Sequence, residues 1–181
     1  DELEDLLRRH RELVKRSLER LKDLLERNRE LIEDSERRAE ELLRELRRLI
    51  EEIKKVLDEG IDEKDIKKML DELRRTAEEI LKELEEVNER LNRASRKTLE
   101  EIKDSNRKLN DSVKKIEDRI KDKKVLEELK RSNDEANERH KTVLRRLEEE
   151  NKRANDSHRK IKEELKDLLR RVDETVKEKR R

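Results

Sequence analysis

The sequence has no cysteine, no proline, no phenylalanine, tyrosine or tryptophan, and one glycine, Gly60. Without cysteine there are no disulfides and no thiol chemistry, and the redox compartment is left open. Charge of one sign is also missing. Lys and Arg number 53, Asp and Glu 52, and the formal net charge is +1. Acids and bases interleave along the chain, so no basic face builds up to release counterions from nucleic acid. The cluster Lys177, Lys179, Arg180 and Arg181 is short, is broken by Glu178, and reads as a solvated helix end. No apolar run approaches the ~20 residues that span a bilayer, and no secretory apolar segment opens the chain. Asp1 stands where a start methionine would, so an initiator or tag is expected to have been removed or left out of the numbering.

What is present is charge, at 58% of residues, and a sparse apolar set at 29%. High charge with few aromatics fits disorder as well as long helices. Spacing decides between them. Leu3, Leu7, Val14, Leu21, Leu24, Leu31, Leu42, Leu46, Leu49, Ile53 and Val56 follow alternating steps of three and four residues or the sums of such steps. Leu6, Leu13, Leu18, Leu25, Ile32, Leu43, Ile50 and Leu57 widen that stripe to the breadth a helix with two neighbours needs.

Gly60 follows this run where a left-handed residue ends a helix. Asp62 then reads as an N-cap, with Asp65 three residues on and Ile61 and Ile66 as a hydrophobic staple. A second break is weaker. The apolar positions Leu109, Val113, Ile116 and Ile120 do not continue in phase to Val125, Leu126 and Leu129, and Asp122 is a plausible cap between them. The chain thus divides into helices at about 1–59, 62–121 and 124–179. Each would be roughly 85–90 Å long at ~1.5 Å per residue. The fold expected is all-α: a long, nearly straight, antiparallel up-down-up three-helix bundle forming one domain over 1–181. Two core positions in seven is about 29%, which matches the apolar fraction and suffices for one three-stranded core. A monomer is therefore favoured, with the Leu-rich first helix as the place where self-association would occur.

Several stripe positions are polar. In the first helix they are His10, Ser17, Asn28 and Ser35; in the third, Asn133, His140, Asn151 and His158. Each third-helix position lies 123 residues beyond its counterpart, and chance would align all four roughly once in a thousand placements. The second helix runs the other way; Ser112 and Ser105 fall at the matching heights, and Ser95 and Asn88 each lie one residue off them, which one helical step can absorb. The layers expected are His10–Ser112–Asn133, Ser17–Ser105–His140, Asn28–Ser95–Asn151 and Ser35–Asn88–His158. The same offset pairs Leu24 with Leu147, Leu42 with Leu165, Leu49 with Val172 and Ile53 with Val176, and sets Leu13 against Ala136 and Leu31 against Ala154. Asn92, Asn106, Asn110, Asn137 and Asn155 flank the stripe and are placed to extend the layers. The segment NDEANERH (133–140) is echoed 18 residues later by NKRANDSH (151–158). A buried polar group without a partner costs about 1–3 kcal/mol. Layers of this kind penalise every register in which polar groups meet Leu.

These Asn, Ser and His layers between Leu-rich layers, the uniform Glu/Lys/Arg surface, the equal helices and the turn DEGIDEKD resemble de novo designed helical bundles with buried hydrogen-bond networks. The resemblance covers the whole chain. It implies a scaffold, oligomerisation module or conformational switch with no natural compartment, expressed in soluble form in a recombinant cytoplasm. It departs from the commoner two-helix hairpin that oligomerises.

Other readings fit less well. Zinc needs ligands converging within about 2.0–2.3 Å, but His140 and His158 lie five turns apart and His10 belongs to another layer. Ser17, Ser105 and His140 share a layer, yet no carboxylate orients the imidazole and no oxyanion donor exists inside continuous helices. No glycine-rich phosphate loop is present. No enzyme activity, cofactor, metal, membrane, nucleic acid or small-molecule substrate is expected. An acid response through buried, neutral His140 and His158 is the sharper alternative. Exchange of the third helix with an external one is another. A natural lipid-binding or spectrin-like helical protein is a third, against which the missing aromatics and the constant offset weigh.

Overall fold

In the computed structural model the residues described are 2–60 and 62–180, the side chains of Lys179 and Arg180 excepted. They form three helices, α1 (Glu2–Asp58), α2 (Glu63–Glu117) and α3 (Lys123–Arg180), joined by two short turns. With no proline and the only glycine in a turn, nothing in the sequence interrupts the helical hydrogen bonds.

The first turn forms where Gly60 predicted it. Gly60 has φ +74°, the left-handed region that L side chains avoid. The amide of Glu59 still donates to the Lys55 carbonyl at 3.1 Å, and Ile66 N–H donates to the Asp62 carbonyl at 3.2 Å as α2 begins. Ile61, half of the expected staple, lies outside the described residues. The second turn departs from expectation. α2 ends at Glu117 rather than 121. Arg119 N–H donates to Ile116 O at 2.9 Å and Ile120 N–H to Glu117 O at 3.4 Å, three-residue bonds that tighten the helix end. That tightening lets Ile120 pack with the buried Val113, Ile116 and Leu129. Asp122 caps α3: its Oδ1 accepts from Lys124 N–H at 3.0 Å.

The chain packs as two compact units, each containing a stretch of all three helices. The first comprises Asp1–Leu31 and Asn92–Asn151; the second comprises Ile32–Leu91 and Lys152–Arg181. In the first unit, His10 meets Ser112 and Asn28 meets Ser95, so α1 and α2 are antiparallel. Asn110 meets Asn133 and Ser95 meets Asn151, so α2 and α3 are antiparallel too. α1 and α3 are therefore parallel, as an up-down-up bundle requires. Leu21, Leu24, Leu25, Ile102 and Leu147 form one apolar cluster there, and Val113, Ile116 and Leu129 another. The second unit shows the same order through Arg38–Glu83, Glu85–Lys162 and Arg74–Asp173. Its larger cluster brings together Leu42, Leu165, Ile53, Val172 and Val176, with Leu49 against it.

Leu31 corrects one expectation. It is 41% exposed instead of filling a core layer against Ala154. From Asn28 the inward positions step to Ile32, Ser35 and Ala39, four, three and four residues apart, and this leaves Leu31 on the flank.

Candidate functional site in the polar layers

In the first unit, His10, Ser17, Asn28, Ser95, Asn133 and His140 are buried. One layer joins all three helices. Asn28 Nδ2 donates to Asn151 Oδ1 at 3.1 Å, and Ser95 Oγ lies 3.1 Å from both Asn28 Oδ1 and Asn151 Oδ1. A serine hydroxyl carries one proton, so it serves one of these oxygens at a time.

His140 is fully buried and both its ring nitrogens are engaged. Nδ1 lies 2.7 Å from the Ala136 carbonyl and Nε2 lies 3.2 Å from Ser105 Oγ. A carbonyl can only accept, so Nδ1 carries the proton and Nε2 accepts from the Ser105 hydroxyl. Ser17 is buried but, among the described residues, makes no hydrogen bond to either.

The His10 region holds two separate pairs rather than one triad. His10 Nδ1 meets Ser112 Oγ at 2.9 Å, and Asn133 Nδ2 donates to Asn110 Oδ1 at 3.0 Å. His10 Nε2 and the Oδ1 atoms of Asn106, Asn133 and Asn137 are buried without a hydrogen-bond partner among the described residues. Burial lowers the pKa of His10 below its ordinary 6.5.

In the second unit Ser35, Asn88 and His158 are half-buried and line one cavity of about 20 Å³, together with Ala39, Ala154 and Ser157. His158 Nε2 is buried without a partner among the described residues. Burial lowers the His158 pKa below 6.5; the Lys162 ammonium adds to this and the Glu85 carboxylate opposes it.

Charged pairs at the rims were not anticipated from the sequence. Arg20–Glu101 at 2.8 Å, Arg29–Glu150 at 3.0 Å and Lys130–Glu117 at 3.3 Å bridge helices in the first unit. Arg38–Glu83, Arg47–Glu164 and Lys162–Glu85 do so in the second. The offsets that align the polar layers bring these charges within about two residues of level, Arg47–Glu164 excepted, and that was the available signal.

The Ser105–His140 bond has the outward form of a nucleophile and its base. Its chemistry is closed, however: Nδ1 faces a backbone carbonyl rather than a carboxylate, and the imidazole is 0% exposed. Among the described residues no three His, Asp or Glu side chains are placed to hold a metal ion. No described helix is long and apolar enough to cross a membrane.

No protein-family model matches the chain, and no curated protein matches it. Among solved structures, one described as a "Computationally designed three helix bundle" is similar at 18% identity and a TM-score of 0.38, covering 99% of this chain and 86% of its own.

Proposed function

We propose that this chain is a designed, non-enzymatic structural scaffold in which buried polar layers select one helix register, acting as a monomer without cofactor, nucleic-acid, membrane or small-molecule partner. The Asn28–Ser95–Asn151 layer carries this reading, because each helix contributes one inward polar side chain and the three bond to one another. Sliding any helix by a turn would set these groups against Leu and leave them unpaired, at about 1–3 kcal/mol per group. Replacing all three by apolar residues removes that penalty and with it the discrimination.

The test is the triple variant Asn28→Leu, Ser95→Ala, Asn151→Leu. Spin labels are placed through Glu26→Cys and Glu148→Cys in a chain that otherwise has no cysteine. The expected result is an equal or higher denaturation midpoint with a broadened or split distance distribution between the labels. A single narrow distribution, unchanged from the parent, would sink the register reading. A mass near 22.2 kDa in light scattering is expected for the monomer. A multiple of it would favour an oligomerisation module.

A pH-responsive switch is the second reading. It is favoured by His10 and His158, both held toward the neutral form by burial.

A further inference from the structure

We infer that the scaffold is built in interchangeable lengths: an 18-residue module recurs along all three helices, and modules can be added to the three together with fold and register kept. This rests on the polar-layer reading and extends it from register to length.

Eighteen residues are five whole turns at ~3.6 residues each, so a position and its successor 18 on share one face of a helix. In α1, His10 and Ser17 are succeeded by Asn28 and Ser35, and the buried Leu24 by the buried Leu42. In α3, Asn133, Ala136 and His140 are succeeded by Asn151, Ala154 and His158. Leu147 is succeeded there by Leu165, and both are buried. α2 runs the other way and counts down. Asn110 and Asn106 answer to Asn92 and Asn88, and the buried Leu109 and Ile102 to the buried Leu91 and Leu84. The α2 serines break the pattern, since Ser112 and Ser105 answer to Ala94 and Val87. The two copies thus share their inward faces and differ in how their hydrogen bonds are made.

A third copy is apolar. Eighteen residues beyond Asn28, Ser35, Asn151 and His158 stand Leu46, Ile53, Leu169 and Val176. Leu46, Ile53 and Val176 are buried, and Leu169 packs against the same cluster. This copy fixes the count. Lengthening α3 alone by 18 residues would keep every face but carry α3 one module past α1. Asn151 and His158 would then stand level with Leu46 and Ile53 and lose their polar counterparts. A buried polar group stranded in this way is destabilising. Lengthening all three helices by one module restores every level.

The experiment keeps the full chain and adds to it. One variant carries tandem duplications of segments 10–27, 96–113 and 133–150; a second duplicates 133–150 alone. With all three duplicated, each helix gains roughly 27 Å at ~1.5 Å per residue. One cooperative guanidinium transition is expected, with a slope steeper than the parent's by about a third, in proportion to the residues added. With α3 alone duplicated, the midpoint is expected to fall below the parent's. Amide exchange should then be fast over the last module of α3, 163–178, which has been carried past its neighbours. Broad or absent transitions in both variants would overturn the modules and leave the polar layers standing. An unchanged midpoint with full protection in the α3-only variant would mean that the layers discriminate nothing, and both readings would fall.

Discussion

At the residue scale the polar core positions differ in how completely they are served. His140 has both nitrogens bonded, whereas His10 and His158 each keep a buried Nε2 without a partner among the described residues. Burial disfavours their charged forms, so the folded pKa lies below the unfolded value near 6.5. Below about pH 6.5 the unfolded chain then binds more protons than the folded one, and stability falls as pH drops. The charged groups near His158 are Lys162 and Glu85; Arg11 and Glu128 line the crevice beside His10. A denaturation midpoint that drops between about pH 7.5 and about pH 4.5 is expected, with a smaller drop in His10→Asn/His158→Asn. Equal drops in both proteins would assign the effect to carboxylates alone. A related expectation concerns Asn28→Ala. It strips a donor from Asn151 and an acceptor from Ser95 in a buried site, and should cost about 1–3 kcal/mol in chemical denaturation.

At the element scale the two turns use different devices. Gly60 at φ +74° has nothing within 4 Å of where a Cβ would stand, so substitution there is a matter of backbone conformation alone. Gly60→Ala should lower stability by about 1 kcal/mol, and Gly60→Asn by less. Asp122 acts through its side chain on Lys124 N–H, and Asp122→Ala should cost about 1 kcal/mol. Equal stability of the parent and either alanine variant would show that the turn forms without the device. The interhelical ion pairs contribute less. The Arg20–Glu101 side chains are 40% and 45% exposed, and solvent screens pairs this wet, so they add little to stability.

At the scale of the whole molecule the two units differ in composition of their cores. The second unit's cluster contains thirteen buried residues, from Ala39 and Leu42 through Leu84 to Val176. The first unit's two clusters contain five and three, and the same unit buries the polar side chains of His10, Ser17, Asn28, Ser95, Asn133 and His140. Apolar burial stabilises by ~25 cal/mol per Å², while unpartnered polar atoms detract. Four side-chain oxygens, of Asn106, Asn133, Asn137 and Glu150, and His10 Nε2 are in that position in the first unit. Amide hydrogen exchange should therefore find a sub-global opening confined to 2–31 and 92–151, at lower denaturant than the exchange of 32–91 and 152–178. Uniform protection across both would contradict this ordering.

Much of this was legible along the chain because helical periodicity and residue offsets are one-dimensional quantities. The three helices, the Gly60 turn, the Asp122 cap and the α1-to-α3 offset at Asn28 and Asn151 follow from spacing alone, since a helix converts spacing directly into a face and a height. What spacing cannot carry is the reach of a side chain and the path of a helix end. Whether His10 bonds Ser112 or Asn133 depends on rotamers, and only packing chose the first and paired Asn133 with Asn110. Packing also drew Ile120 inward, shortened α2 to Glu117 and left Leu31 on the surface. The sequence determined which residues share a level; the three-dimensional packing decided which of them touch, because a hydrogen bond is a matter of tenths of an ångström and a helical step is not.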